Sequence, residues 1–293
     1  MTPEEKLAGV LAAVQTDPGN RGLARDPDDN LFTATRGDFQ AACKSIANRP
    51  TFHIQTGFLI PTSTPPAFET DGPLGAAFLL RAIYALTGKN HSHLSAEKPI
   101  VRAIESGISD ILDLNTTNAH WIYNDHILWI ERAGPTQDGN CYSMRGHKIT
   151  NESVTNNEML YTADQQRRWE VRSIGIGDGG NEIGMGKIPH ETIVKNIPNG
   201  DLIHCRVPTD HLIVAGVSNW GAYALAAGIF VLKGITPPDD LFDPDREREI
   251  LEVMVKAGPL VDGVTGEQTA TVDGLTWEEY VKPLVRIRDI LAS

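Results

Sequence analysis

Cysteine is scarce in this chain. Cys43, Cys141 and Cys205 are far apart and odd in number, and no C-x-x-C occurs. That argues against a disulfide framework or a thiolate zinc site and for a reduced, intracellular setting. Basic residues are also outnumbered, 26 Lys and Arg against 38 Asp and Glu, for a net charge of −12. Nucleic acid and anionic membrane both select basic surface, so neither is expected as a partner. The same excess suits a protein that gathers cations, or one that is acidic for solubility alone. No H-E-x-x-H, Walker lysine pattern or G-x-S-x-G is present, which leaves zincin, P-loop and serine-hydrolase chemistry without a motif. The opening "MTPEEKLAGVLAAVQ" lacks the charge and apolar run of a signal or transit peptide, and the cytoplasm is the expected location. Leu212 to Leu232 is long enough to span a bilayer. Ser218, Asn219 and Gly221 interrupt it, and it reads instead as a buried strand, a turn and a buried helix.

What remains is an ordinary globular composition, 41% hydrophobic and 22% charged over 293 residues, enough for a sizeable core. An amphipathic helix is expected over about Pro3 to Gln15, and another after Asp38. "TFHIQTGFLI", "HILWIERAG", "VRSIGIG", "DLIHCRV" and "HLIVAGV" read as buried strands. Leu74, Ala77, Phe78, Ala82 and Ala85 recur at helical spacing, and helices are expected at about Ala96 to Ser106, Asp245 to Lys256 and Trp277 to Leu291. "GPLVDGVTGEQTATVDG" reads as loop or hairpin. Strands followed by glycine turns and helical patterns predict an α/β fold, a largely parallel or mixed central sheet flanked by helices. With no visible linker, residues 1–293 read as a single domain, with 1–50 a helical N-terminal extension packed on it.

Ligands of open α/β sheets bind beyond the carboxyl ends of the strands, and there the acids gather. "FETDGP" carries Glu69 and Asp71, "IERAG" carries Glu131 and Arg132, "GDGGNE" carries Asp178, Asn181 and Glu182, and "VSNWG" carries Ser218 and Asn219. Each turn has a plain explanation as helix capping or chain reversal. Five converging carboxylates, however, would repel unless a hard cation or raised pKa values relieved them. Manganese and magnesium prefer such oxygen ligands.

"SIGIGDGGNEIGMGK" sharpens the point. It reads as strand, glycine turn and helix, and Gly175, Gly177 and Gly180 satisfy G-x-G-x-x-G. Asp178 and Glu182 stand where a phosphate would sit, and the motif lies past the middle of the chain, so a dinucleotide site is not expected. Gly179 and Gly180 leave N–H groups free to meet a small ligand, and the loop's charge suits a metal or an amine-bearing substrate. Elsewhere, "HSH" (His91, His93) reads as a solvated loop, His53 as a core histidine, "WIYNDHILW" as core packing and "DPDREREILEVM" as a solvated helix face. Arg145 in "CYSMRG" is placed to clamp a carboxylate, or to remain on the surface.

"ETDGPLGA", "IERAG…DGNCYSMRG", "GIGDGGNEIGMGK", "VAGVSNWGAYALA" and "VKAGPLVDGVTGEQTATVDGL" resemble, in order, the successive blocks of the D-glutamate cyclase family, in particular the C-terminal domain of its animal mitochondrial members. The likeness runs from about Pro50 to the end, and the N-terminal fifty residues match loosely. The resemblance implies a carbon–oxygen lyase that cyclises D-glutamate to 5-oxo-D-proline and water. It also implies that this domain stands without the additional N-terminal domain and presequence of the animal proteins. On that reading Asp178 or Glu182 is the general base, and Asp71 belongs with them among the catalytic groups. Glu69 and Asp71 hold a divalent cation, with Glu131 and the two loop acids as further candidate ligands. Asn181, Ser218, Asn219, Gly179 and Gly180 bind the substrate, and Arg132 or Arg145 holds its α-carboxylate. Two other readings use the same parts: a divalent-metal-dependent phosphatase or phosphoesterase, and a non-catalytic metal or amino-acid binding protein. A small-molecule partner is expected throughout, and a homo-oligomer is left open.

Overall fold

The structure is a computed structural model that describes residues 1–89, 92–114, 125–149 and 171–293. His91 of the "HSH" segment and residues 121–124 of the aromatic run lie outside them. Nine strands are present among the described residues: β1 (Phe52–Gly57), β2 (Leu59–Ile60), β3 (Ala67–Phe68), β4 (Ser92–Ser95), β5 (His126–Arg132), β6 (Cys141–Tyr142), β7 (Lys148–Ile149), β8 (Arg172–Gly177) and β9 (His211–Val214). Five of them form one parallel sheet in the order β4-β1-β5-β8-β9. Two small antiparallel hairpins, β2–β3 and β6–β7, stand apart from it. The central sheet is therefore parallel, and helices flank it.

Period-two alternation decides which side chain meets which layer. Ile54, Leu128, Ile130, Ile174, Ile176 and Ile213 face the larger core, beneath the helices Pro73–Thr87 and Ser218–Lys233. Ile127, Trp129, Leu212 and Val214 face the other way, onto Leu23, Leu31, Ile183, Met185 and Ile193. The second layer is therefore built from the glycine-loop region and the chain segment before residue 32. Pro3–Val14 packs on Ser218–Lys233 and on the C-terminal helix Lys282–Ala292. No helix among the described residues is long and apolar enough to cross a membrane, and Leu212 to Leu232 is a strand, a turn and a helix, as its polar middle predicts.

Three expectations are corrected. "DLIHCRV" is not a strand: Gly200–Ile203 is a short helix, and the backbone after it serves other loops. Cys205 N–H donates to the Gly180 carbonyl and Arg206 N–H to that of Pro135. The segment around His93 is no loop but the edge strand β4, with His93 opposite His53. No helix follows the glycine turn directly, because the chain stays irregular until His190–Asn196.

Strand order places first-strand neighbours on opposite sides: from β1 the chain passes to β4 on one side and to β5 on the other. Such a reversal opens a crevice at the carboxyl ends of the two strands, the usual ligand position of doubly wound sheets.

Candidate active site

Asp71, Glu131 and Asp178 reach this crevice by local devices. At the end of β5 the register slips: Thr56 pairs with Ile130 and Gly57 with Arg132, leaving Glu131 as an unpaired bulge with φ 43°. Bulges re-aim side chains, and a positive φ at a non-glycine residue marks backbone held by its surroundings. Ser218 Oγ fixes the result, donating to Glu131 Oε2 at 2.6 Å. Gly72 makes room, since a Cβ there would sit 2.7 Å from that of Glu131.

Asp71 lies across the start of the helix Ser218–Lys233. Its carboxylate accepts the N–H groups of Ser218 at 2.9 Å and Asn219 at 2.8 Å. Asn219 Oδ1 returns the arrangement, accepting N–H of Gly72 at 2.9 Å and of Gly75 at 2.7 Å. The two helices thus cap one another's N-termini, which neither does with a side chain of its own cap residue.

The glycine turn after β8 is closed by its own acid. Glu182 accepts N–H of Asp178 and of Gly180, both at 2.8 Å. A carboxylate of the chain thus sits where the loop's N–H groups would otherwise take an anion. Asp178 is left facing the pocket, and Arg21 Nη1 lies 3.1 Å from its Oδ2. The other arm of Arg21 reaches Asp273 Oδ2 at 2.9 Å.

The resulting pocket measures about 120 Å³, roughly ten times what one water needs. That leaves room for a small molecule. Glu69, Asp71, Glu131, Asp178 and Asn181 line it, together with Arg21, Arg145, His147 and Asp273. Glu182, Ser218, Asn219, Gly179, Gly180 and Arg132 do not line it. Arg132 turns to Glu97, 2.9 Å away, and to the Thr56 and Gly57 carbonyls. Gly179 and Gly180 are buried within the loop itself. Of the two arginines expected to meet a carboxylate, Arg145 is the one at the pocket, where its guanidinium also donates to the Val264 carbonyl at 3.3 Å.

Burial dominates the electrostatics. Desolvation, then Asp273 and Asp71, hold the Glu69 carboxyl well above its usual range. Desolvation, Asp178 and Glu182 do the same for Glu131. Asp178 is raised by burial despite the opposing charge of Arg21. Asp71 rises to about 7, through burial and Asp273 against the two N–H groups it accepts. Burial disfavours the guanidinium of Arg21, yet Asp178 and Asp273 outweigh it and raise that group well above its usual value.

One oxygen from each of Asp71, Glu131 and Asp178 lies within 4.8 Å of the others. Beside them Asn181 donates through Nδ2 to the Tyr142 carbonyl at 2.8 Å, while its buried Oδ1 has no hydrogen-bond partner. An all-oxygen donor set with excess negative charge and an unsatisfied amide oxygen fits a hard divalent cation.

Sequence reasoning missed Arg21 and Asp273. Asp17 offered a signal for the first: "TDPGNRG" is an aspartate-led turn, and Asp17 accepts N–H of Arg21, Gly22 and Leu23. Asp273 lies in the last of the family-like blocks, where "VDG" occurs twice.

A family model described as D-glutamate cyclase-like, C-terminal, matches residues 10–288. The chain is similar to the mitochondrial D-glutamate cyclase of Homo sapiens, with 29% identity over 98% of its own length and 52% of that protein's. It thus spans about half of that relative. Among solved structures it is similar to exonuclease RecJ bound to manganese (TM-score 0.37, 13% identity, 79% of this chain and 53% of that one). RecJ in complex with Mn2+ from Thermus thermophilus is another (TM-score 0.34, 12% identity, 100% and 43%). At these scores neither carries an argument about the site.

Proposed function

Because the chain belongs to the D-glutamate cyclase-like family, we propose that its acidic pocket cyclises D-glutamate to 5-oxo-D-proline and water with a divalent cation, manganese or magnesium. The observation that carries this reading is the meeting of Asp71, Glu131 and Asp178 in one buried pocket with Arg145 beside them.

The reaction removes two protons from the α-ammonium, joins its nitrogen to the side-chain carboxyl carbon and expels one oxygen as water. Asp178 takes a proton from the ammonium. Glu182, the other base offered by the sequence, has both oxygens committed to loop N–H groups. Glu69 takes no side-chain hydrogen bond among the described residues, and burial favours its protonated form. It supplies one proton to the leaving oxygen, and the nitrogen's second proton supplies the other. The proton held by Asp178 restores Glu69, so that water leaves and both carboxyls return to their starting forms. Arg145 holds the α-carboxylate, leaving the ammonium toward the acids. Confinement of a flexible chain in a ring-like conformer lowers the remaining barrier. A divalent ion, held by Asp71, Glu131 and Asp178, would act as a Lewis acid on the side-chain carboxylate.

The test is 5-oxoproline formation from D-glutamate by chelator-treated protein, with and without added manganese or magnesium. L-glutamate and a phosphate ester serve as controls. Metal-restored cyclisation of the D form is expected, with loss of at least about a hundredfold in kcat for Asp178→Asn. Phosphate release without cyclisation would overturn the reading.

A further inference from the structure

Arg21 comes from outside every motif that marks the pocket, yet among the described residues it is the cation nearest the acids. Its carrier segment is anchored at both ends. Asp17 gathers the N–H groups of residues 21–23, and further on Asp26 N–H donates to Asn196 Oδ1 at 2.7 Å. Arg21 Nη1 also donates to the Gly216 carbonyl at 3.0 Å, just ahead of the helix that Asp71 caps. The guanidinium is thus held between Asp178 and Asp273, its side chain 15% exposed.

Asp178 is shared. It belongs to the oxygen triad with Asp71 and Glu131, and its Oδ2 faces Arg21 with no hydrogen bond. Asp273 Oδ2 is likewise buried without one and meets the second arm of the same guanidinium. Two carboxylates therefore share one arginine, one on each arm, and the arginine competes with any cation for Asp178. Asn181 Oδ1, buried and unpartnered at the same pocket, is an independent sign that the cluster takes a ligand.

We propose that Arg21 is a positioning residue that acts through Asp178 as the pocket's internal counter-ion, with Asp273 drawing it aside so that a divalent cation can share Asp178. This rests on the cation of the proposed function but not on its substrate.

The two partners of the pair have opposite consequences, which a merely structural role would not produce. Arg21→Met removes a positive charge beside the triad and should tighten Mn2+ binding, by about tenfold or more given the strength of buried charge interactions. Asp273→Asn leaves Arg21 wholly to Asp178 and should weaken Mn2+ binding several-fold. Arg21→Lys keeps the charge and should stay close to the parent. Calorimetric titration of each chelator-treated full chain with Mn2+ alone measures this, with circular dichroism as the control for folding. D-glutamate turnover is measured alongside, and a lowered kcat is expected for Arg21→Met. If Arg21→Met and Asp273→Asn shift affinity in the same direction, or if neither the parent nor Arg21→Met binds Mn2+, the proposal is wrong. Opposite shifts without any cyclisation would sustain it and reject the substrate assignment.

Discussion

Glu69 and Glu182 carry the same group into opposite circumstances. Glu182 accepts two loop N–H groups, whereas Glu69 sits in the pocket against Gly263, where a Cβ would come within 1.9 Å of its Oε2. Glu182→Gln turns an NH2 toward a donor it cannot pair with. It should cost about 1–3 kcal/mol in urea denaturation. Glu69→Gln should leave stability nearly unchanged, since burial already favours the neutral form of Glu69, while kcat on D-glutamate falls about a hundredfold. Asp71 sets a pH dependence. Its folded value of about 7 exceeds the ordinary 3.8, so between them the folded chain keeps a proton that the unfolded chain releases. Its contribution is fully present below the lower value and is lost as pH rises through the higher one. Denaturation of metal-free protein from about pH 5 to about pH 8 should show falling stability, and a bound cation should flatten the slope by replacing the proton. A metal-free profile that rises over this range would refute the assignment. The sequence made five acids visible because turns at strand ends are readable. It could not say which of them bind their own backbone, since that depends on a loop path of a few ångströms.

At the level of elements, Pro73–Thr87 and Ser218–Lys233 share one junction. Asp71 and Asn219 are distant in sequence, yet each satisfies N–H groups at the other's helix. Asn219→Ala is expected to cost about 1–2 kcal/mol, the range of a lost N-cap. Its KM should move little, and a large rise in KM at unchanged melting temperature would restore Asn219 as a substrate ligand. The same two helices lean on a second polar knot. Arg81 pairs with the fully buried Glu247 at 2.8 Å, and Tyr223 donates to that carboxylate at 2.8 Å. Arg81→Met strands a buried charge and should cost about 3–5 kcal/mol, with much of the loss recovered by adding Glu247→Leu. Most helix and strand positions followed from periodicity, but the edge strand β4 reads as loop in the sequence and the helix expected directly after the glycine turn is not there. "DLIHCRV" misled because an apolar run has no sign of whether a neighbour edge is available, and β9 already held the place beside β8.

On the scale of the molecule, the pocket joins segments from both ends of the chain: Arg21 near the start, Asp273 near the finish, and the strand ends between. A ligand that bridges them should stabilise the whole, not one part. Mn2+ at about a hundredfold excess over its Kd should add about 2.7 kcal/mol to unfolding, measured as a raised melting temperature that chelator reverses. The α/β class, the buried strands and the turn acids were already set in the amino-acid order, because they follow from side-chain periodicity and local backbone preference. Three outcomes were not: Glu131 swings out on a bulge, Glu182 fills its own loop, and Arg21 divides itself between two distant aspartates. Those are fixed by which surfaces meet across long separations in the chain, and burial there raises the proton affinity of Glu69, Asp71, Glu131 and Asp178, which no local pattern encodes.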